Sequence, residues 1–147
     1  MVELNEDDLK IFSSFEKITH VMPTDYVASA SSLVFLVNEE TLGKAIGKQA
    51  TNIEKLRKLF RKRVVVVADK DTPEDFLKSF FGNVQILDIE SRNIMGEIAL
   101  MMTVDEKDRG IAIGRDGERI KAAKSLLKKK FNATVHVKTK KTPIEYV

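Results

Sequence analysis

The sequence contains no cysteine and no tryptophan, and it has only two histidines among its 147 residues. The absence of cysteine excludes disulfide bonds, thiolate metal sites, CxxC redox pairs and cysteine nucleophiles. Because His20 and His136 lie far apart in the chain, a histidine-rich metal site is excluded as well. A chain without cysteine also fits a reducing compartment inside the cell.

Long hydrophobic runs and aromatic residues are also scarce. The longest run of β-branched residues is Val64–Val67, the length of a strand, whereas a membrane helix needs about 18 apolar residues. The first ten residues are acidic and lack the apolar core of a secretory signal. Aromatic residues make up only 7% of the chain, which argues against the stacking platforms of RRM and OB-fold domains. Because no apolar run reaches the length of a membrane helix, we predict no contact with membranes.

Charge is abundant, and its sign changes along the chain. Residues 44–63 hold eight basic side chains and one acidic, and residues 107–130 hold nine basic and three acidic. The stretches before them, residues 1–43 and 64–106, are acidic. Most charge runs are solvated helix faces, but a pattern that occurs twice predicts an internal repeat.

The two basic windows align without gaps, with Gly47 matching Gly114. The motif Ile-Gly-x-x-(Ala/Gly)-x-x-Ile begins at Ile46 in the first copy and at Ile113 in the second. Alternating apolar residues precede each motif, which is typical of a strand. Further upstream, Asn5 and Thr72 stand before carboxylates, as residues that cap the start of a helix do.

Each copy therefore predicts the same order of elements: helix, strand, strand, short helix, glycine loop, helix and strand. We place the two units at residues 1–70 and 71–147. The longer predicted elements are helices from Asn5 to His20, Ile53 to Phe60, Thr72 to Phe81 and Ile120 to Phe131, and strands at 26–30, 33–37, 63–68, 84–90, 100–104 and 133–137. The last helix of the second copy is expected to be about three residues longer than its counterpart.

The glycine loops allow three interpretations. The first is a simple corner between two helices, where glycine tolerates unusual dihedral angles. The second is a nucleotide phosphate loop, but the segment Gly43–Gln49 has three residues instead of four before Gly-Lys and lacks the Ser or Thr that must follow. The third is a clamp on a nucleic-acid backbone, in which main-chain N–H groups and a helix N-terminus approach phosphates.

The clamp arrangement resembles the KH domain, in which a GxxG loop holds about four nucleotides of single-stranded nucleic acid, and the element order resembles its type II variant. We expect phosphate contacts mainly from the basic residues and a groove for bases lined by the isoleucines. The candidate RNA-binding residues are Lys44, Ile46, Gly47, Lys48, Gln49, Ala50, Ile53 and Lys55 in the first copy, and Ile113, Gly114, Arg115, Asp116, Gly117, Arg119, Ile120 and Lys121 in the second.

The chain as a whole resembles the archaeal form of the NusA family of transcription factors. The closest resemblance lies in Gly43–Lys48 and Asp108–Arg115. It implies an α+β fold (an α/β sandwich) of two tandem type II KH domains, each αββααβ with a three-stranded mixed sheet packed on helices. It further implies a cytoplasmic protein that binds single-stranded RNA in transcription elongation, termination or antitermination. RNA polymerase is a further candidate partner.

The resemblance implies no enzymatic activity, cofactor, metal or small-molecule substrate, and the chain holds no motif that pairs a nucleophile with a base. Two alternatives remain open from the sequence. One is a KH protein that acts in RNA processing or on the ribosome, and the other is a KH scaffold for protein contacts.

Two residues depart from the family pattern. Ala50 occupies the place of the last loop glycine in the first copy, and we expect it to begin the helix and to narrow the approach of RNA. Asp116 places an acid in the middle of the second loop, which should weaken phosphate attraction. These expectations oppose one another, so the sequence leaves open which copy dominates binding.

Overall fold

The computed structural model of the chain describes residues 5–141, within which an order of three helices and three strands occurs twice. The chain divides into two units, Met1–Asp69 and Lys70–Val147. Residues 1–4 and 142–147 of the predicted units lie outside the described residues. The elements are α1 (Glu6–Thr19), β1 (Asp25–Ala28), β2 (Ser32–Asn38), α2 (Leu42–Ile46), α3 (Thr51–Phe60), β3 (Arg63–Asp69), α4 (Pro73–Phe80), β4 (Ile86–Ile94), β5 (Glu97–Asp105), α5 (Arg109–Ile113), α6 (Glu118–Phe131) and β6 (Ala133–Lys140).

Each unit contains one mixed three-stranded sheet. In the first, β2 is central, pairs antiparallel with β1 and pairs parallel with β3. In the second, β5 is central between antiparallel β4 and parallel β6. Parallel neighbours need a crossover connection, and in each unit the crossover carries the short helix, the glycine loop and the longer helix. A mixed α+β fold with helices and a three-stranded sheet is thereby confirmed.

The first helix of each unit begins where its capping residues predict. The Asn5 side chain accepts a hydrogen bond from the Asp8 N–H at 2.8 Å, and the Asp8 carboxylate accepts one from the Asn5 N–H at 3.1 Å. In the second unit the Thr72 hydroxyl accepts from the Asp75 N–H at 3.2 Å, and Pro73 fills the first helical position. Both arrangements satisfy amide groups that have no partner within the helix.

Helices and sheet enclose an apolar core in each unit. In the first, Phe15 of α1, Phe35 of β2 and Leu56 of α3 are fully buried in one cluster. In the second, Leu100 of β5 and Leu126 of α6 are buried to the same extent. The apolar spacing of three and four along the helices, and of two along the strands, predicts these faces.

The structure differs from the predicted elements in the hairpin of the second unit. We predicted a strand at 84–90, whereas β4 runs from Ile86 to Ile94. The turn that follows places Met95 and Gly96 at φ 52° and 88°, the left-handed region that tight hairpins use. The second half of β4 is mostly polar, so apolar spacing in the sequence does not predict it. Backbone pairing with β5 determines the length of the strand.

Candidate nucleic-acid interface

The two glycine loops follow nearly the same backbone path. Gly47 has φ 80° and ψ 164°, and Gly114 has φ 79° and ψ 174°. Two residues later, Gln49 and Asp116 both have φ 55°. The loops therefore share one conformation although their central residues differ in size and charge.

The first glycine of each loop is required by conformation and by packing. Both Gly47 and Gly114 lie at positive φ, which L-residues with side chains rarely adopt. A Cβ added to Gly47 would lie 2.9 Å from the Cγ of Asn52, and one added to Gly114 would lie 2.6 Å from the Cβ of Arg119. The loop thus passes directly against the first turn of the following helix.

The fourth loop position corrects one expectation. We expected Ala50 to begin the helix, but it has φ 58° and lies in the left-handed region, as Gly117 does at φ 73°. The cause is a closed turn, in which the Ala50 N–H donates to the carbonyl of Gly47 at 3.1 Å. The same bond joins Gly117 to Gly114 at 3.1 Å. Ala50 accepts a backbone conformation that costs an L-residue about 1 to 2 kcal/mol.

One side chain at an equivalent position ties each loop together. The Asn52 amide nitrogen donates to the carbonyl of Lys44 at 3.1 Å. At the matching position of the second copy, Arg119 Nη1 donates to the carbonyl of Ile111 at 2.9 Å. Each bond links the first turn of the longer helix to the short helix before the loop, and it therefore holds the two arms of the corner in place.

Arg119, which we predicted to bind phosphate, makes a set of contacts within the second unit. Its Nη2 donates to the carbonyl of Phe80 at 3.2 Å and to the side-chain oxygen of Asn83 at 2.5 Å. The guanidinium also lies over the ring of Phe81, 5.1 Å from its centre. Both terminal nitrogens of Arg119 thus donate within the second unit. No sequence pattern connects Arg119 with partners 36 to 39 residues earlier.

The other predicted cations lie at the surface around the loops. Lys44 and Lys48 flank the first loop and are exposed, and Arg115 is exposed in the second. Lys55 and Lys121 are exposed on the helices that follow, and Lys121 Nζ lies 3.5 Å from the carbonyl oxygen of Asp116. These side chains give each loop a positively charged border.

The four isoleucines of the repeated motif are partly buried. Ile46 and Ile113 end the short helices, and Ile53 and Ile120 lie in the first turns of the longer ones. Each packs partly into its unit and leaves part of its surface accessible.

The sequence did not predict the hydrogen bonds that Asn52 and Asn83 make. Alignment of Asn52 with Arg119 is the one pattern that pointed to a shared position.

Two negative findings apply to residues 5–141. No helix in this range has the length and apolar character that a membrane crossing requires. Within the same range, no group of three or more histidine or acidic side chains is arranged to hold a metal ion.

Comparison with known proteins agrees with this geometry. Residues 74–143 match the family model of the KH domain. The chain is 30% identical over 131 residues to a protein of Halococcus morrhuae named "Probable transcription termination protein NusA", which covers 89% of this chain and 94% of the relative. A protein of the same name from Methanocaldococcus jannaschii is 26% identical over 133 residues, covering 90% and 73%.

A solved structure shows the same fold. The crystal structure of APE1850 superposes with a TM-score of 0.77 at 31% sequence identity, covering 93% of this chain and 100% of that one. Together with a relative that is 30% identical over 94% of its own length, these similarities establish that the chain belongs to the archaeal NusA family.

Proposed function

We propose that this protein binds single-stranded RNA at both glycine loops and that its first unit is a second KH domain. The domains that we propose span residues 1–70 and 71–147. The observation that carries the proposal is the shared path of the two loops, in which Gly47 and Gly114 have nearly equal φ and ψ. The loop at Gly114 lies within the segment that matches the KH family model, and the first unit repeats its element order and sheet topology.

Phosphates would be held where each loop meets the longer helix. The N-terminus of an α-helix leaves amide N–H groups without intrahelical partners and carries partial positive charge. The glycines remove the Cβ atoms that would keep a phosphate away. Exposed Lys48 and Arg115 add a full positive charge beside each loop. Nucleic-acid backbone is the polyanion that suits such a surface.

The partly buried isoleucines would contact the bases. Their accessible surface adjoins the loops and is apolar, whereas the side chains at the border are cationic. A strand held by its phosphates at the loop would therefore turn its bases toward an apolar floor. Both terminal nitrogens of Arg119 donate within the second unit, so we assign it the role of positioning the loop.

The biological role follows from the relatives. Because those relatives are named probable transcription termination proteins, we propose that this protein acts on RNA during transcription elongation, termination or antitermination. RNA polymerase is the protein partner that this role requires. We place that role in the cytoplasm, and we assign the chain no catalytic activity, cofactor or metal.

The test measures how tightly the protein binds a fluorescein-labelled single-stranded RNA library. Fluorescence anisotropy reports the binding at two salt concentrations. A loop variant carries Lys48→Asp and Arg115→Asp, and a control variant carries Lys10→Asp and Lys78→Asp. The control matches the loop variant in charge, because Lys10 and Lys78 are exposed lysines on the first helix of each unit. Circular dichroism verifies that both variants are folded.

We expect the loop variant to lose at least tenfold in affinity, because two phosphate contacts are replaced by repulsion, and the control to lose much less. Equal losses in both variants would reduce the interaction to net charge and contradict the loop site. If the unmodified protein bound no RNA, the units would act as a scaffold for protein contacts, with polymerase as the first partner to test.

A further inference from the structure

The residue two positions before each Ile-Gly pair is exposed and differs in chemistry between the units. In the first unit it is Lys44, and in the second it is Ile111, with 47% of its surface exposed. The two positions are equivalent, since they align in the repeat and each follows a glycine. An ammonium group suits a phosphate, whereas an apolar side chain suits the face of a base or a ribose.

The backbone of both positions is hydrogen-bonded to the longer helix although the side chains are exposed. The carbonyl of Lys44 accepts the hydrogen bond from Asn52, and the carbonyl of Ile111 accepts the one from Arg119. These donors belong to the same residues that pack against the first glycine of each loop. The backbone that carries each exposed side chain is therefore tied to the loop.

The glycines that precede these residues leave room beside them. Gly43 and Gly110 lie within the short helices, where glycine costs about 1 kcal/mol relative to alanine. A Cβ added to either would meet no heavy atom within 4 Å, so packing within the protein does not require a glycine there. Open space of this kind permits the close approach of a ligand backbone.

We propose that this position determines what each unit recognises. The first unit binds the RNA backbone through Lys44, and the second unit contacts a base through Ile111. The inference rests on the proposed function, and it adds a specificity-determining residue outside the repeated Ile-Gly motif. The second unit then supplies the part of the affinity that depends on bases, and the first supplies more of the part that depends on salt.

The test uses two strands of equal length and charge, a short oligouridine and the same strand with a stable abasic analogue at every position. Both carry the same phosphates, and only one carries bases. Affinity for each is measured by anisotropy over a series of salt concentrations. The full-length variants are Ile111→Lys, Lys44→Ile and the controls Ile111→Ala and Lys44→Ala.

We expect Ile111→Ala to reduce the preference for oligouridine over the abasic strand about threefold without a change in salt dependence. Ile111→Lys should reduce that preference as much and steepen the slope of log affinity against log salt by about 0.7, the value for one phosphate on a single strand. Lys44→Ile and Lys44→Ala should make the slope shallower by about 0.7.

Two results would overturn the inference while the proposed function stands. One is a preference for bases that is unchanged in both Ile111 variants, with RNA binding still lost in the Lys48→Asp, Arg115→Asp protein. The other is equal affinity of the unmodified protein for the two strands. If the unmodified protein bound neither strand, the proposed function would fail and the inference would fail with it.

Discussion

Arg119 donates a hydrogen bond from Nη2 to the side-chain oxygen of Asn83, 36 residues earlier, at 2.5 Å. The same guanidinium reaches Ile111 on the short helix before the loop. The second glycine loop is thus tied both to its own short helix and to the end of α4. Arg119 therefore holds the shape of the loop, whereas Arg115 lies exposed beside it.

We predict opposite effects from neutral substitutions of these two arginines. Arg119→Gln should lower the free energy of unfolding by about 1 to 3 kcal/mol, because several charge-assisted hydrogen bonds are lost, and leave the salt slope of RNA binding unchanged. Arg115→Gln should reduce the salt slope by about 0.7 and change stability by less than about 0.5 kcal/mol. Urea unfolding and salt-dependent anisotropy measure both. A reduced salt slope with intact stability in Arg119→Gln would show instead that Arg119 contacts a phosphate.

The two glycines of the second loop should differ in their tolerance of a methyl group. Gly114→Ala combines positive φ with a Cβ placed 2.6 Å from the Cβ of Arg119, so we expect a loss of about 2 to 4 kcal/mol. Gly117→Ala meets nothing closer than 3.6 Å and should cost about 1 kcal/mol. The measurement is urea unfolding of both variants. Equal losses would show that conformation alone determines the requirement.

Ala50→Gly should stabilise the first unit. Ala50 lies at φ 58°, where glycine avoids the strain of a Cβ, although glycine gains more freedom in the unfolded chain. The expected net gain is up to about 1 kcal/mol in the free energy of unfolding. Lys48→Gly, two positions earlier in the loop and not at positive φ, is the control and should not stabilise. A loss of stability in Ala50→Gly would contradict the strain that we assign to this residue.

Tyr26→Phe should alter the stability of the first unit at alkaline pH. The Tyr26 hydroxyl donates to the Asp8 carboxylate, and burial first, then this bond and the neighbouring carboxylates, raise the pKa of Tyr26 from 10.0 to about 12. Folding therefore favours the protonated phenol. The resulting stability is fully present below pH 10 and is lost as the pH rises toward 12.

The variant retains the ring, whose centre lies 5.6 Å from that of Phe12 and 6.0 Å from that of Phe35. The difference in stability between the variant and the unmodified protein therefore isolates the hydroxyl. We expect Tyr26→Phe to be less stable by about 1 kcal/mol below pH 10, a value limited by solvent at this partly buried site. The gap should narrow as the pH rises from 10 through 12. Urea unfolding from pH 8 upward measures the gap, and a constant gap would contradict the shifted pKa.

Local chemistry in the sequence determined the elements and their order. Asn5 and Thr72 accept hydrogen bonds from amides three residues later, and this reach lies within one helical turn. Apolar spacing of two and of three to four residues depends only on the geometry of strand and helix, so it predicts which faces are buried. The motif that begins at Ile46 and again at Ile113 was enough to locate both glycine loops.

The closed turn and the packed tertiary structure decided the rest. Ala50 adopts a left-handed conformation because the turn closes onto Gly47 and a helix begins directly after it. Alanine has no preference for this conformation, so the residue type does not predict it. Arg119 turns into the protein because folding brings Asn83 and Phe81 beside it. A charged residue in a sequence shows its charge but not its partner, and only the tertiary structure distinguishes a cation that can reach RNA from one that holds the loop.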